Sequence, residues 1–361
     1  MILKKIYNRF KRVLCAIRDS AKINKIISKY KYVHIMFNDK FNKPFVDFLN
    51  AEFDPCEHIV LCKRWFNAQP FPQGNNVLEI STLQGLKFNK SEKVICHSLF
   101  DNELINYLFA HKRILKNKAY WMIWGGDLYE AVRDKKNDYV RRNFKGYISD
   151  TDGDCDVAMF RYNSKPFVLN AGYTFPITKE MISAAKKIKH DYVQIQINNS
   201  CDETTLEMLD VLSKFKDENV RIVTILSYGN LDFKSAIIDK GVMLFGDKFS
   251  FLDKYLSPSD YAQFIAQNDV LILCQNRQQG LGNCFANLAL GAKVYIKKEI
   301  TTYTHFNSRN IKVFDTNEMV NIDFADFSRY NCDIKERNMK LVDAFFSGAY
   351  LHQLWSEVFE S

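Results

Sequence analysis

Arg277-Gln278-Gln279-Gly280-Leu281-Gly282-Asn283 gathers side-chain donors and two glycines between an apolar run, Val270 to Cys274, and a small-residue segment ending near Gly291. If the run is a buried strand and the segment a helix, this loop lies at the strand's carboxyl end. The helix then begins with amides that lack intrahelical partners and carry roughly half a positive charge. Such a turn can cradle a diphosphate, with Arg277, Gln278, Gln279 and Asn283 adding donors and Gly280 and Gly282 letting the backbone come close. It is neither a Walker loop nor the G-x-G-x-x-G fingerprint. Asn199 and Ser200, with Asn198 and Thr204 nearby, and Tyr228 before Gly229 also end strand-like runs and can serve the same ligand. Each of these stretches also reads as an ordinary cap or turn.

A second constellation is YWMIWGGDLYE, residues 120 to 130. Gly125 and Gly126 suit a sharp exit from a strand, which would leave Asp127 exposed at the strand end with Trp121 and Trp124 on one face. An aromatic wall beside a carboxylate fits a sugar. The alternative makes Asp127 a helix cap and the tryptophans core. His34, Asp39 and His97 end or follow other strand-like runs, and any of them could take a proton from a hydroxyl; Asp127 is the first candidate base, with His34 and Asp39 behind it. DTDGDCD, residues 150 to 156, has its glycine misplaced for a calcium loop and no glutamate at the twelfth position, so it reads as an acidic surface turn. No metal and no cofactor is expected.

The elements that must position these residues alternate. YVHIMF (32 to 37), HIVLC (58 to 62), NVLEI (76 to 80), KVICHS (93 to 98) and AYWMIW (119 to 124) read as strands, with helical stretches between or after several of them. A second series runs through YVQIQIN (192 to 198), VRIVTILSY (220 to 228), GVMLFG (241 to 246), DVLILC (269 to 274) and AKVYIK (292 to 297). Two strand-helix alternations imply two Rossmann-like α/β domains, 32 to 175 and 176 to 330, facing across a cleft, with a linker within 164 to 190 and a C-terminal helical segment, 331 to 361. Ligands of open parallel sheets gather at strand carboxyl ends.

The chain of 361 residues carries a net charge of +8, and that excess is local. Residues 1 to 32 hold ten Lys or Arg against Asp19, a net of +9, leaving −1 for the rest. Leu3, Ile6, Tyr7, Phe10, Val13, Leu14 and Ile17 recur at helical spacing, so residues 1 to 31 predict a basic amphipathic helix suited to an anionic membrane surface or, alternatively, to packing on the protein body. Nucleic acid is disfavoured, because aromatics do not interleave the cations and the body lacks further basic patches. Nine scattered cysteines without C-x-x-C spacing read as reduced cytosolic thiols.

HIMFNDKFNKPFVDFLN (34 to 50), CHSLF (96 to 100), WMIWGGDLYE (121 to 130), NNSCD (198 to 202), RQQGLGN and ALGAKVYI (within 277 to 296) occur in the order seen in a known family. On these pieces the chain resembles the bacterial TDP-N-acetylfucosamine:lipid II N-acetylfucosaminyltransferases of enterobacterial common antigen synthesis. The resemblance implies a B-type glycosyltransferase fold, with Arg277, Gln278, Gln279, Gly280 and Gly282 approaching the donor diphosphate and His34, Asp39, His97 and Asp127 around the acceptor. Two positions that are glycine in the family are Asn198 and Cys201 here. The expectation is a peripheral enzyme on the cytoplasmic face of the bacterial inner membrane. It would move a deoxyamino sugar from a dTDP-sugar to a polyprenyl-diphosphate-linked saccharide. The alternatives are a transferase of the same fold using another nucleotide sugar, in O-antigen or capsule assembly, and a non-catalytic nucleotide-sugar or lipid-binding module.

Overall fold

A computed structural model of the chain describes residues 20 to 64 and 71 to 361. The chain divides into two compact units, Met1–Thr174 together with Leu351–Ser361, and Phe175–Tyr350. Most of the expected basic helix lies outside the described residues. Within them, residues 20 to 27 are helical and Ile27 enters the core of the first unit.

The first unit contains β1 (Tyr32–Phe37), β2 (His58–Lys63), β3 (Val77–Ile80), β4 (Lys93–His97), β5 (Ala119–Ile123), β6 (Gly146–Ser149) and β7 (Phe167–Asn170) in one sheet of order β3-β2-β1-β4-β5-β6-β7. Every pairing is parallel. A parallel sheet is covered on both faces, so its central strands are apolar throughout rather than alternating. Val33, Ile35, Val94, Cys96, Trp121 and Tyr147 fill one core, and Tyr32, Met36, Val60, Ile95, Tyr120, Met122 and Ile148 the other. The second core is completed by Leu351, Trp355, Val358 and Phe359 of the C-terminal helix Gly348–Glu360. The segment 331 to 361 is therefore shared between the units.

The second unit is built on β8 (Val193–Ile197), β9 (Val220–Ile225), β10 (Phe249–Leu252), β11 (Val270–Leu273), β12 (Lys293–Ile296) and β13 (Phe314–Asp315), also all parallel, in order β10-β9-β8-β11-β12-β13. The expected strand at 241 to 246 is instead the end of the helix Lys234–Phe245, whose buried residues Ile237, Gly241 and Phe245 repeat every four positions. The strand falls just beyond it, at Phe249. β6, β7 and β13 were not expected, and β7 occupies part of the stretch read as a linker.

Two buried lysines close equivalent places in the two units. Lys93, first in β4, donates its ammonium hydrogens to the Val358 and Phe359 carbonyls and the Ser361 hydroxyl at 2.6, 2.9 and 3.0 Å. Lys293, first in β12, donates to the carbonyls of Asp326, Phe327 and Arg329 at 2.8, 2.9 and 3.0 Å. Each ties the end of a helix to the amino-terminal edge of its sheet, where a cation meets exposed carbonyls favourably.

Candidate active site

At the carboxyl edge of the second sheet, three loops are bound to one another. Cys201 N–H donates to the Tyr228 carbonyl at 2.7 Å, and Asn230 N–H returns a bond to the Cys201 carbonyl at 2.9 Å. Ser200 Oγ lies 2.9 Å from Gln275 Nε2 and 2.7 Å from Gln279 Nε2, both amide donors. The Cys274 N–H donates to Asn198 Oδ1 at 3.0 Å, and Asn198 Nδ2 donates to Thr205 Oγ1 at 3.0 Å. Asn198 has φ +52°, a conformation that glycine adopts freely and that asparagine tolerates better than most residues. Asn199 and Ser200 are buried, so they act from inside the loops.

Gly280 has φ +73° and directly precedes the helix Leu281–Ala289. A Cβ there would lie 1.8 Å from Asn199 Nδ2, so any other residue must displace the Asn199 side chain and adopt a left-handed backbone. Gly282 differs: it is helical, and an added Cβ would meet the Phe175 ring at 3.1 Å, which makes its role packing. Arg277, Gln278, Gln279, Gly280, Gly282 and Asn283 are all half-buried, as is Tyr228, whose ring stacks on exposed Tyr255 at 6.1 Å. The result is an accessible turn of amides in front of a nine-residue helix. Gln275 was overlooked in the sequence; its Oε1 is buried and has no hydrogen-bond partner.

In the first unit Asp127 is not exposed at the strand end. It is buried, and its carboxylate accepts three hydrogen bonds: from Leu99 N–H at 2.9 Å, Trp121 Nε1–H at 2.6 Å and Trp124 N–H at 2.9 Å. Burial raises its pKa to about 6, against the pull of those three donors and of Arg141. Arg141 is buried too, donating to Asn137 Oδ1 and to the Leu99 and Asp127 carbonyls. Gly125, at φ +83°, makes the turn that brings the carboxylate back under its own strand. The two tryptophans do not share a face: Trp121 belongs to one core and Trp124 to the other, as residues three apart along a strand must.

His34 and His97 are buried within the sheet, joined by His58, which the sequence reading passed over. His34 Nδ1 is 3.0 Å from His97 Nε2, and His34 Nε2 is 3.3 Å from His58 Nδ1. His97 Nδ1 reaches Tyr173 Oη at 2.5 Å, and Trp124 Nε1–H donates to the same oxygen at 2.7 Å. The register explains the line. His34 pairs with Val60 and Ile95, so His58 stands two residues back on β2 and His97 two residues on along β4. The three rings step diagonally on one face toward the carboxyl edge. Desolvation holds all three neutral, pushing His34 well down, His58 to about 4 and His97 to about 3. Asp39, just past β1, keeps a buried Oδ1 without a hydrogen-bond partner, as do Ser98 Oγ and Thr174 Oγ1.

Residues 66 to 361 match the family model described as 4-alpha-L-fucosyltransferase, glycosyl transferase group 56. The chain belongs to that family. Group 56 here wears a fold shared with distant enzymes. A glycosyltransferase from Rickettsia africae ESF-5 matches with TM-score 0.62 at 11% identity, over 92% of this chain and 98% of that one. WaaG, a glycosyltransferase involved in lipopolysaccharide biosynthesis, matches at 0.56 and 10%, over 91% and 98%. The E. coli trehalose-6-phosphate structure bound with UDP-2-fluoro glucose matches at 0.59 and 9%, over 91% and 99%. Two parallel-sheet α/β domains of the B-type glycosyltransferase fold carry a glycosyltransferase.

For this group 56 chain, the second unit supplies amide and hydroxyl groups, the Arg277 guanidinium and a helix terminus, groups that can hold an anion without proton exchange. The first supplies buried ionisable groups and half-buried aromatic rings. DTDGDCD starts the helix Asp152–Tyr162, and Asp154 accepts from the Tyr129 and Thr151 hydroxyls. Among the described residues, no group of three or more His, Cys, Asp or Glu is arranged for a metal ion, and no helix is long and apolar enough to cross a membrane.

Proposed function

We propose that the protein transfers a deoxyamino sugar of N-acetylfucosamine type from a dTDP-sugar to a polyprenyl-diphosphate-linked saccharide. The reaction takes place on the cytoplasmic face of the bacterial inner membrane, with residues 1 to 31 contributing the membrane contact. The observation that carries the reading is the bonded set of loops at 198 to 202, 228 to 230 and 275 to 280, closed by a glycine whose left-handed backbone leaves no room for a side chain. Group 56 membership and a neighbour bound with UDP-2-fluoro glucose support a nucleotide sugar as the ligand.

In this reading Gly280, Arg277, Gln278, Gln279 and Asn283 meet the donor diphosphate, and the helix dipole stabilises the charge that grows on the leaving group without a metal. Tyr228 and Tyr255 offer a stacking surface for the base. Asp39 takes the acceptor's proton, because its Oδ1 has no hydrogen-bond partner while both oxygens of Asp127 already accept bonds from the scaffold. Asp127 and His34 hold the acceptor edge in shape.

Calorimetric titration with dTDP, UDP and GDP tests the donor assignment, dTDP being expected to bind tightest. Arg277→Ala should weaken the nucleotide roughly tenfold, the worth of one charge-assisted hydrogen bond. An unchanged dissociation constant would remove the loop from the donor site.

A further inference from the structure

The line of imidazoles ends at a place built for a ligand. Tyr173 is half-buried, in ring contact with half-buried Phe41 at 5.5 Å and Trp124 at 5.7 Å. Along the same carboxyl edge, Asp39 Oδ1, Ser98 Oγ and Thr174 Oγ1 are buried without hydrogen-bond partners. Ser98 also has φ +75°, a backbone strained for a serine. Buried orphan oxygens of this kind are uncommon in a finished core and point to a polar group that arrives from outside.

The chemistry of the line follows from counting protons. A neutral imidazole has one donor and one acceptor, so the two links His97 to His34 and His34 to His58 both form only if the three rings carry hydrogen on the same nitrogen. With hydrogen on every Nε2, His97 Nδ1 accepts from the Tyr173 hydroxyl. With hydrogen on every Nδ1, His97 donates to Tyr173. Trp124 Nε1–H can only donate, so Tyr173 Oη accepts from it in either state. The hydroxyl therefore offers a remaining lone pair in the first state and a free hydrogen in the second. A sugar hydroxyl can meet both.

We propose that Tyr173 binds a hydroxyl of the saccharide held by the first unit, and that His97, His34 and His58 are positioning residues that set which way the Tyr173 hydroxyl points. This rests on the glycosyl-transfer reading, and the experiment separates the two. In protein labelled with 15N-histidine, the three buried rings should share one tautomer. Tyr173→Phe should move the nitrogen resonances of His34 and His58, which do not touch residue 173, as well as those of His97. Adding octyl β-glucoside, octyl N-acetyl-β-glucosaminide and octyl β-glucuronide to the wild type should shift all three rings together with at least one glycoside. Mixed tautomers, a response confined to His97, or no response to any glycoside overturns the proposal even if the enzyme transfers sugar. In the transfer assay Tyr173→Phe should raise the acceptor KM about tenfold and leave the donor KM alone, as expected for one lost hydrogen bond. His58→Phe keeps the ring packing against Phe359 and should raise the acceptor KM about threefold; an unchanged value in this folded variant counts against the chain. Coupled imidazoles and glycoside-induced shifts without turnover on any nucleotide sugar would instead sink the transferase reading and leave the wire intact.

Discussion

The two units solve the same topological problem with opposite chemistry. Each gathers polar residues toward the carboxyl edge of a parallel sheet, yet the second does so mainly with uncharged groups: Asn199, Ser200, Gln275 and Gln279 are bonded to one another and Asn198 to Thr205, with the Arg277 guanidinium beside them. The first uses a carboxylate and a guanidinium sealed from water, and three buried histidines that lead to the edge from His58 at the start of β2 to His97 at the end of β4. Amides hold geometry at any pH, which suits a site that must present fixed donors to an anion. Buried ionisable groups hold geometry only in one protonation state, and that state costs desolvation. The difference predicts that pH and buried-charge mutations act on the first unit and leave nucleotide binding by the second untouched.

Acidification should separate the units most. The histidines have depressed pKa values in the folded state, so below about pH 6.5 the unfolded chain binds protons that the folded chain refuses, and stability falls as pH drops toward 4 and 3. Asp127 works in the other direction: its folded pKa of about 6 exceeds the unfolded value of 3.8, so it adds stability as pH falls through that interval. Three groups against one leave a net loss of stability as pH falls from 6 toward 4, at most about 3 kcal/mol per pH unit. Trp121, Trp124 and Trp355, the tryptophans among the described residues, all fall in the first unit. Their fluorescence in urea titrations reports that unit selectively, and a midpoint constant from pH 7 to 5 would contradict the assignment of neutral buried rings.

Asp127→Ala comes next. It strips three N–H groups of their acceptor at once, and about 3 kcal/mol should be lost in the same tryptophan-monitored titration. Nucleotide affinity should stay within twofold. A variant that keeps full stability but loses turnover would return Asp127 to the chemistry.

How far the sequence reveals all this differs between the units. The strand runs and the Gly280 loop were readable because buried parallel strands are continuously apolar and a left-handed turn calls for glycine. The position of Asp127 was not, since its capture depends on Gly125 turning the chain back beneath Trp121 and on Leu99 arriving from a neighbouring strand. His58 and Tyr173 were invisible for a related reason: neither sits in a motif, and only the register of β2, β1 and β4 lines up His58 with His34 and His97, while Tyr173 reaches His97 from the stretch after β7. Short edge strands such as β7, with Phe167 and Val168 exposed, lack the burial pattern that marks the others.

The paired lysines offer a control in which the units should behave alike. Lys93→Met and Lys293→Met each leave three acceptors facing an apolar chain end, and each should cost about 2 kcal/mol. Lys93→Met is to be read by tryptophan fluorescence and Lys293→Met by hydrogen exchange of β12 and its neighbours. A large cost at one and none at the other would show that the clamps are not equivalent.

Gly280→Ala gives the smallest effect in energy and the sharpest in location. Alanine at φ +73° is disfavoured by about 1 to 2 kcal/mol, and its methyl would sit where Asn199 Nδ2 now lies, 1.8 Å from the ideal Cβ. The loop can relieve the clash only by swinging Asn199 away from Gln275, 3.4 Å distant, or by opening the turn, and either moves the first amides of the helix. The nucleotide dissociation constant should therefore rise about tenfold, while tryptophan-monitored stability and the acid response of the first unit stay as in the wild type. Equal loss in both measurements would mean that the two edges are not independent, and the contrast between amide-held and proton-held geometry would no longer divide the molecule along its two sheets.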